Sequence, residues 1–333
     1  MAITVRSFAK INLGLRIGAA RSDGFHELLT VYQTIGLYDL IRVSLTRGSG
    51  IEIVCSDPRV PTDESNTCYR VAERVMSAVR AKGRVVIEIE KRLPVQGGLG
   101  GASSNAVATL IGLGRALQKN LTAEQRLQIA AEVGSDLPLF LVGGTVLGIG
   151  RGEQVYPLPD FPATACVVVT PPVGVSTPKA FAEWDRLQGS LGGAYPADLG
   201  KLTVPGASDR MEQLGHALSA GLSELYTGAP VRRGRAENPL LALVRAGIKN
   251  DFEQVVFPEH PELCAGKSAL LGAGARYASL SGSGSTLYGL FASREAARRA
   301  EARLRRQSWA AQVTETLTRG QYWRRAHSAQ AAK

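Results

Sequence analysis

The residues most suited to binding a ligand lie in one glycine-rich stretch. Four glycines fall within the five residues Gly97–Gly101, and Ser103, Ser104 and Asn105 follow at once. The stretch lies between a predicted strand and a predicted helix. Successive backbone N–H groups of such a loop can turn toward one point, where the helix dipole adds partial positive charge. A tight turn explains only one or two of the glycines, so we favour a phosphate-binding loop.

This loop differs from the common nucleotide-binding motifs. No lysine follows its glycines as in a P-loop, and a GxGxxG pattern starting at Gly98 fails because Ser103 occupies its last position. Gly266-Lys267-Ser268 has the end of a P-loop motif, but Pro261 stands where the first glycine belongs. The sequence therefore indicates neither a P-loop NTPase nor a Rossmann dehydrogenase.

A second glycine-containing segment, Leu280–Thr286, lies between two predicted strands. Gly-Ser pairs are ordinary in hairpin turns, but they also suit a backbone that contacts a phosphate. Both interpretations stay open from the sequence alone.

Polar side chains interrupt apolar segments at two further places. Lys10 and Asn12 share one face of an alternating strand, opposite Ile11 and Leu13. A cation beside an amide suits an anionic or sugar-like ligand, although an exposed strand face explains the pattern equally well. Asp136 is an acid in a largely apolar run, and it either caps a helix or acts as a base in a cleft.

These residues must be positioned by strands and helices that the hydrophobic periodicity predicts. Alternation predicts strands, and a four-residue spacing of valines predicts a helix over 66–81. Beyond residue 160, the order helix, strand, turn, strand, helix, strand is predicted over 261–317. We therefore predict an α+β protein with domains at 1–160 and 161–318 and a tail at 319–333. Residues 188–235 have weak periodicity and are predicted to be an insertion or long connection.

The composition excludes several classes of protein. The 333 residues are 44% hydrophobic and 20% charged, which is typical of a globular chain. The longest apolar runs are far too short to span a membrane, and no signal-peptide pattern opens the sequence, so we expect a cytoplasmic protein. Four cysteines and four histidines are scattered without metal-ligand spacing, which argues against zinc and against a disulfide framework.

The formal net charge of +10 suggests anionic partners. Much of the excess lies on a predicted helix with six arginines between Arg294 and Arg306. No aromatic residue lies among them to stack on a base, so we favour a solvated helix face. A basic nucleic-acid-binding α+β protein remains the alternative from a different class.

Three segments together resemble the superfamily of galactokinase, homoserine kinase, mevalonate kinase and phosphomevalonate kinase, the GHMP kinases. They are Ala9–Leu13, Pro94–Asn105 and Leu280–Thr286. The resemblance covers residues 1–180 closely and 236–318 more loosely. It implies a two-domain fold with an N-terminal α+β domain, a C-terminal ferredoxin-like α/β sandwich and a cleft between them.

The resemblance also implies an activity, ATP-dependent phosphorylation of a small molecule, with Mg²⁺ carried mainly by the ATP phosphates. Lys10 and Asp136 match the catalytic pair of the superfamily, in which the aspartate accepts the proton of the substrate hydroxyl. The residues that match its ATP-binding loop are Pro94, Val95, Gln96, Gly97, Gly98, Leu99, Gly100, Gly101, Ala102, Ser103 and Ser104.

Within the superfamily, Asp23–Leu28 and Gly134–Phe140 resemble the branch that phosphorylates the 2-hydroxyl of a cytidine-diphosphate-bearing substrate in non-mevalonate isoprenoid biosynthesis. That resemblance implies five substrate-binding residues: Phe25 and Phe181 stacking on the cytosine, His26 hydrogen-bonding it, and Asn12 and Thr177 contacting the substrate. A homoserine or mevalonate type of kinase is the alternative within the superfamily. We expect no nucleic acid or membrane partner, and a monomer or weak homodimer.

Overall fold

The computed structural model describes residues 2–119, 121–192, 214–216, 219, 240 and 248–327. The first half contains strands β1 (Ala2–Ala20), β2 (His26–Thr46), β3 (Ile51–Cys55), β4 (Arg84–Glu90), β5 (Thr145–Ile149) and β6 (Gln154–Pro157), with helices α1 (Thr67–Ala78), α2 (Gly101–Ala116), α3 (Ala123–Val133) and α4 (Leu137–Val142). The second half contains β7 (Ala165–Val169), α5 (Thr177–Gly192), α6 (Glu253–Glu259), α7 (Pro261–Gly272), β8 (Tyr277–Leu280), β9 (Leu287–Phe291), α8 (Arg294–Arg306), β10 (Ala311–Glu315) and α9 (Arg319–His327).

The first sheet is built around the long antiparallel pair β1 and β2. Its strand order is β3-β4-β2-β5-β6, with β1 paired to β2. Helix α1 starts where the Asn66 side chain accepts the Cys68 N–H at 2.9 Å, and Val71 and Val75 are buried on one helix face. Thr122 and Gln125 form a capping box at the start of α3. Side chains from α1, α2, α3 and α4 form a core with this sheet.

Strand β1 is irregular where its polar residues lie. Its pairing with β2 shifts between Phe8 and Lys10 and again between Asn12 and Gly14. Such β-bulges bend a strand and redirect its side chains. These two of the three shifts in the β1–β2 pairing flank Lys10 and Asn12, so the strand is irregular on both sides of these two polar residues.

The second sheet is antiparallel and has the order β10-β7-β9-β8. In chain order this is 4-1-3-2, the arrangement of a ferredoxin-like β-α-β-β-α-β unit. Helices α7 and α8 pack against it, and α8 buries Ala297, Ala300 and Leu304 while its arginines stay exposed. The predicted α+β architecture, with a ferredoxin-like second domain, is confirmed.

A shared apolar cluster joins the two sheets. It combines Ile11 and Leu13 of β1 with Val168 of β7 and Leu290 of β9. Leu214, which falls in the predicted insertion at 188–235, is 2% exposed and belongs to this cluster. The segment thus contributes at least one side chain to the core. Helix α5 continues to Gly192, and most of 193–235 lies outside the described residues, so the insertion or long connection at 188–235 stays a prediction.

The predicted tail at 319–333 is wrong over its first part, which forms α9 and returns to the first domain. Tyr322 is buried against Phe8, with ring centroids 5.6 Å apart, and its hydroxyl donates to the carbonyl of Phe140 at 2.7 Å. The indole N–H of Trp323 donates to the carbonyl of Val142 at 3.1 Å. The C-terminal helix thus holds α4, the helix that Asp136 precedes.

No helix in the described ranges is long and apolar enough to cross a membrane.

Candidate active site

Lys10 and Asn12 line a cleft beside the glycine-rich loop and are buried, with 3% and 1% of their surfaces exposed. The Lys10 ammonium donates to Oδ1 of Asn12 at 2.6 Å. The Asn12 amide in turn donates to the hydroxyl of Thr30 at 2.8 Å. An exposed strand face, the alternative left open by the sequence, is therefore excluded. Burial of a lysine is costly unless it is paired, so this ammonium is held for an anionic partner.

That partner is Asp136, whose carboxylate Oδ2 is 3.4 Å from the Lys10 Nζ. Asp136 is the residue before α4, but its side chain makes no capping hydrogen bond to the helix. The carboxylate is instead oriented by the Tyr32 hydroxyl, which donates to Oδ1 at 3.0 Å. Burial, followed by the charge of Asp136, raises the pKa of Tyr32 well above its ordinary value, so the phenol remains a donor. About one-third of the Asp136 side chain is exposed to the cleft.

The glycine-rich loop requires glycine at two positions for steric reasons. Gly98 has φ of +74°, and a Cβ there would lie 2.2 Å from the carbonyl oxygen of Ser281. Gly100 has φ of +69°, and a Cβ there would lie 3.0 Å from Cγ of Lys10. The backbone also ties the loop to β1, since the Lys10 N–H donates to the Leu99 carbonyl at 3.0 Å. The loop therefore fits closely around the lysine.

The backbone N–H groups of this loop are available to an anion. Among the described residues, no acceptor receives a hydrogen bond from the N–H groups of Gly97 to Ser103. The two serines differ: Ser103 lines the cleft, whereas Ser104 is 2% exposed and accepts a hydrogen bond from Ser7 at 2.7 Å. Of the two serine hydroxyls, that of Ser103 is therefore the one that faces a ligand in the cleft, and the place of Ser104 in a ligand-binding loop stays a prediction.

The second glycine segment forms the hairpin turn that was one of the two roles left open by the sequence, and its contact with a phosphate stays a prediction. It is the turn between the antiparallel strands β8 and β9, and it packs on the glycine-rich loop. The Thr286 N–H donates to the Gly97 carbonyl at 3.1 Å, and the Ser281 hydroxyl donates to the Gly98 carbonyl at 2.9 Å. Gly282 lies beside the Lys10 ammonium, where an added Cβ would be 3.5 Å from Nζ.

Two cavities meet at the loop. The first, of about 370 Å³, lies between the loop and the start of α1 and is called the donor cavity below. The second, of about 420 Å³, contains Lys10, Asn12 and Asp136 and is called the acceptor cavity. Gly98, Gly100 and Ser103 line both. A ligand in one cavity can therefore reach a ligand in the other across the loop.

The five predicted substrate-binding residues all line the acceptor cavity. Phe25 is 51% exposed, with the Arg151 guanidinium 5.0 Å from its ring centroid. Phe181 is stacked on His26, with centroids 5.0 Å apart and an angle of 9° between the planes. The Thr177 hydroxyl is 2.7 Å from that of Ser283 in the second glycine segment. In this structure the ring parallel to Phe181 is thus the imidazole of His26.

Sequence reasoning missed four polar residues of the site: Tyr32, Arg151, Asp185 and Asn250. Asn250 is 2% exposed, and its amide donates to the carbonyls of Leu280 and Gly282 at 2.9 and 2.7 Å, which fixes the second glycine segment. Arg16 of β1 forms a buried ion pair at 2.7 Å with Asp251, the residue after Asn250. The polar pair Asn250-Asp251 before an apolar segment was the available signal for Asn250.

Within the described residues there is no cluster of three or more His, Cys, Asp or Glu that could hold a metal.

The amino-acid sequence of the chain matches that of a known protein family. Residues 66–144 match the family model for the GHMP kinases N terminal domain, and residues 236–311 match that for the GHMP kinases C terminal. The chain is 38% identical over 296 residues to a 4-diphosphocytidyl-2-C-methyl-D-erythritol kinase of Solibacter usitatus, covering 89% of this chain and 83% of the relative. It is 36% identical to the enzyme of that name from Moorella thermoacetica, covering 95% and 99%.

Solved structures agree with these matches. A crystal structure of 4-(cytidine 5'-diphospho)-2C-methyl-D-erythritol kinase superposes with a TM-score of 0.68 at 29% identity, covering 94% of this chain and 99% of that one. A homoserine kinase from Cytophaga hutchinsonii superposes with a TM-score of 0.65 at 22% identity, covering 95% of each chain, which shows the shared fold alone.

Proposed function

Because the chain belongs to the 4-diphosphocytidyl-2-C-methyl-D-erythritol kinase family of the GHMP kinases, we propose that its cleft transfers the γ-phosphate of ATP to the 2-hydroxyl of that cytidine-diphosphate-bearing substrate. The enzyme is an ATP-dependent small-molecule kinase. The observation that carries the proposal is the meeting of two cavities at Gly98, Gly100 and Ser103, with Lys10 and Asp136 on the acceptor side.

The donor cavity and the loop would hold ATP. Within the described part of the chain the N–H groups of Gly97 to Ser103 have no acceptor, and they lie at the N-terminus of α2, where the helix dipole favours negative charge. Mg²⁺ carried on the phosphates would neutralise charge during the transfer, and the Ser103 hydroxyl is the loop side chain available to it.

The acceptor side supplies a base and a cation. Asp136 accepts the proton of the substrate hydroxyl while that oxygen forms its bond to the γ-phosphorus and ADP leaves. The Lys10 ammonium, 3.4 Å from the carboxylate, stabilises the negative charge that develops at the attacking oxygen. Tyr32 fixes the carboxylate through its hydrogen bond at 3.0 Å. Most of the acceleration then comes from position and electrostatics, as in other phosphoryl transfers.

The far end of the acceptor cavity suits the cytidine diphosphate moiety. Phe25, His26 and Phe181 offer aromatic surface and ring nitrogens for the cytosine, and Arg151 offers a cation. Asn12 and Thr177 would contact the substrate nearer to the reacting hydroxyl. A homoserine or mevalonate substrate has no group that uses the aromatic residues.

Calorimetric titration tests this assignment. A non-hydrolysable ATP analogue and CDP should each bind at a one-to-one ratio, and saturation with one should leave the site for the other open. Homoserine and mevalonate should not displace CDP. Competition between CDP and the ATP analogue for a single site would contradict the two-cavity assignment.

A further inference from the structure

Helix α5 holds the ring of His26 from two directions. Phe181 and Asp185 are four residues apart, so they lie one turn apart on the same face of the helix. Phe181 covers one face of the imidazole, and Oδ1 of Asp185 is 2.7 Å from Nε2. The ring itself is buried, with 8% of its surface exposed. Its orientation is therefore set by two contacts from a single element.

The two nitrogens of His26 have different surroundings. Asp185 is not among the residues that line the acceptor cavity, whereas His26 is. The Nε2 edge thus points away from the cavity toward the carboxylate. Within the described part of the chain, Nδ1 makes no hydrogen bond and is the nitrogen left for a ligand.

We propose, on the basis of the function proposed above, that Asp185 sets the base specificity of the acceptor cavity by fixing the tautomer of His26. A carboxylate accepts only, so Nε2 carries the proton and Nδ1 of the neutral ring presents a lone pair. The bond made by one ring nitrogen determines what the other can do, as in second-shell control of metal-binding histidines. Asp185 is a positioning residue that acts through His26.

A lone pair at Nδ1 distinguishes cytosine from uracil. On the Watson–Crick edge the two bases differ at position 4, where cytosine has an amino donor and uracil a carbonyl acceptor, and at N3, which accepts in cytosine and carries a proton in uracil. The proposal places the group at position 4 against Nδ1. The amino group would donate to Nδ1, whereas the uracil oxygen would face the lone pair without a proton between them. An unpaired polar contact of this kind predicts about a 10- to 100-fold preference for CDP over UDP.

The experiment compares CDP and UDP binding, each in the presence of a saturating non-hydrolysable ATP analogue so that neither nucleotide enters the donor cavity. The unaltered protein should prefer CDP. In Asp185→Asn the amide can donate to Nε2 and move the proton to Nδ1, so the preference should fall at least about tenfold. Asp185→Glu should restore part of it. Affinity for the ATP analogue should not change in either variant.

A spectroscopic measurement and a matched control separate this role from a merely structural one. The ¹⁵N spectrum of labelled His26 should show the proton on Nε2 in the unaltered protein and on Nδ1 in Asp185→Asn. Glu183→Gln removes a nearby carboxylate of α5 that pairs with Arg186, and it should leave the preference unchanged.

Several outcomes would overturn the inference. An unchanged preference in Asp185→Asn, or a proton on Nδ1 of His26 in the unaltered protein, contradicts it directly. Equal affinity of the unaltered protein for CDP and UDP contradicts the specificity but leaves the proposed kinase function standing. Binding of the ATP analogue without any binding of CDP would contradict the proposed function as well.

Discussion

Asp136 stands at the start of a helix and yet leaves that helix uncapped. Its carboxylate is turned to Lys10 and Tyr32 instead. A fold that forgoes a cap loses about 1 kcal/mol of helix stability. The side chain is therefore placed for the cleft, which is where a base for the substrate hydroxyl is required.

Replacing this carboxylate tests its role. Asp136→Asn keeps the shape and removes the base, so kcat should fall by at least ~10²-fold while the ATP analogue binds with unchanged affinity. Steady-state kinetics and calorimetry on the same preparation check both parts. A variant that retains full kcat would rule out Asp136 as the base.

Tyr32→Phe is the companion variant, because it removes one hydrogen bond to the base and keeps the ring. We expect a kcat lower by about 3- to 10-fold, in line with the loss of one hydrogen bond. A loss as large as that of Asp136→Asn would mean that the phenol itself takes part in proton transfer.

The sequence identified Lys10 and Asp136 because each interrupts an apolar run, but it gave no signal for Tyr32. Strand β2 starts at His26, and most of its residues from Thr30 to Gly36 are buried on both faces. Without a solvent-exposed face there is no alternation of apolar and polar residues to detect. The hydroxyl that orients the Asp136 carboxylate was therefore visible only in the folded chain.

At the scale of elements, the site is the junction of a loop and a turn that are distant in sequence. The turn between β8 and β9 donates two hydrogen bonds to the glycine-rich loop, from Ser281 and Thr286 to the carbonyls of Gly98 and Gly97. The sequence located both segments by composition. Their contact could not be predicted, because it depends on how the second sheet packs against the first.

Gly100→Val tests the fit of the loop. The residue needs positive φ, and an added side chain would meet Lys10 and Phe140. Affinity for the ATP analogue should fall at least about tenfold, because the loop is proposed to bind the phosphates of ATP. Affinity for CDP, which is proposed to bind in the acceptor cavity, should change by less than about threefold.

Gly272→Val is the matched control for this variant. Gly272 ends α7, and a Cβ there meets nothing within 4 Å. Both ligands should bind to it as they do to the unaltered protein. Unchanged affinity for the ATP analogue in a folded Gly100→Val variant would show that the glycines only form a turn.

In the whole molecule, the last helix of the chain packs against the first domain. Helix α9 follows the second domain and packs on the first through Tyr322, whose hydroxyl bonds to Phe140 beneath the loop. The sequence analysis predicted a tail over this segment, whose buried residues in α9 are Tyr322 and Ala326. Its burial arises from tertiary contacts that the local pattern does not encode.

Tyr322→Ala should lower the free energy of unfolding by about 3–5 kcal/mol, the usual cost of truncating a buried aromatic. Arg324→Ala, on the exposed side of the same helix, should change it by less than ~0.5 kcal/mol. Chemical denaturation of the two variants checks the difference. Equal stabilities would show that α9 does not support the first domain.

The arginine-rich surface of α8 is separate from the contact between α9 and the first domain. The arginines of α8 are exposed and lie on the second sheet, and two of them bond to nearby backbone carbonyls. The absence of nucleic-acid binding stays a prediction.

The most direct test of the account is turnover of the proposed pair of substrates. The protein is incubated with Mg²⁺, ATP and 4-diphosphocytidyl-2-C-methyl-D-erythritol, and ADP and the phosphorylated product are measured by ³¹P NMR. We expect one ADP for each product molecule, with the new phosphate on the 2-hydroxyl, and an initial rate at least ~10²-fold lower from Asp136→Asn at the same enzyme concentration. ADP formed without a phosphorylated product, or a higher kcat/KM with homoserine or mevalonate, would contradict the account.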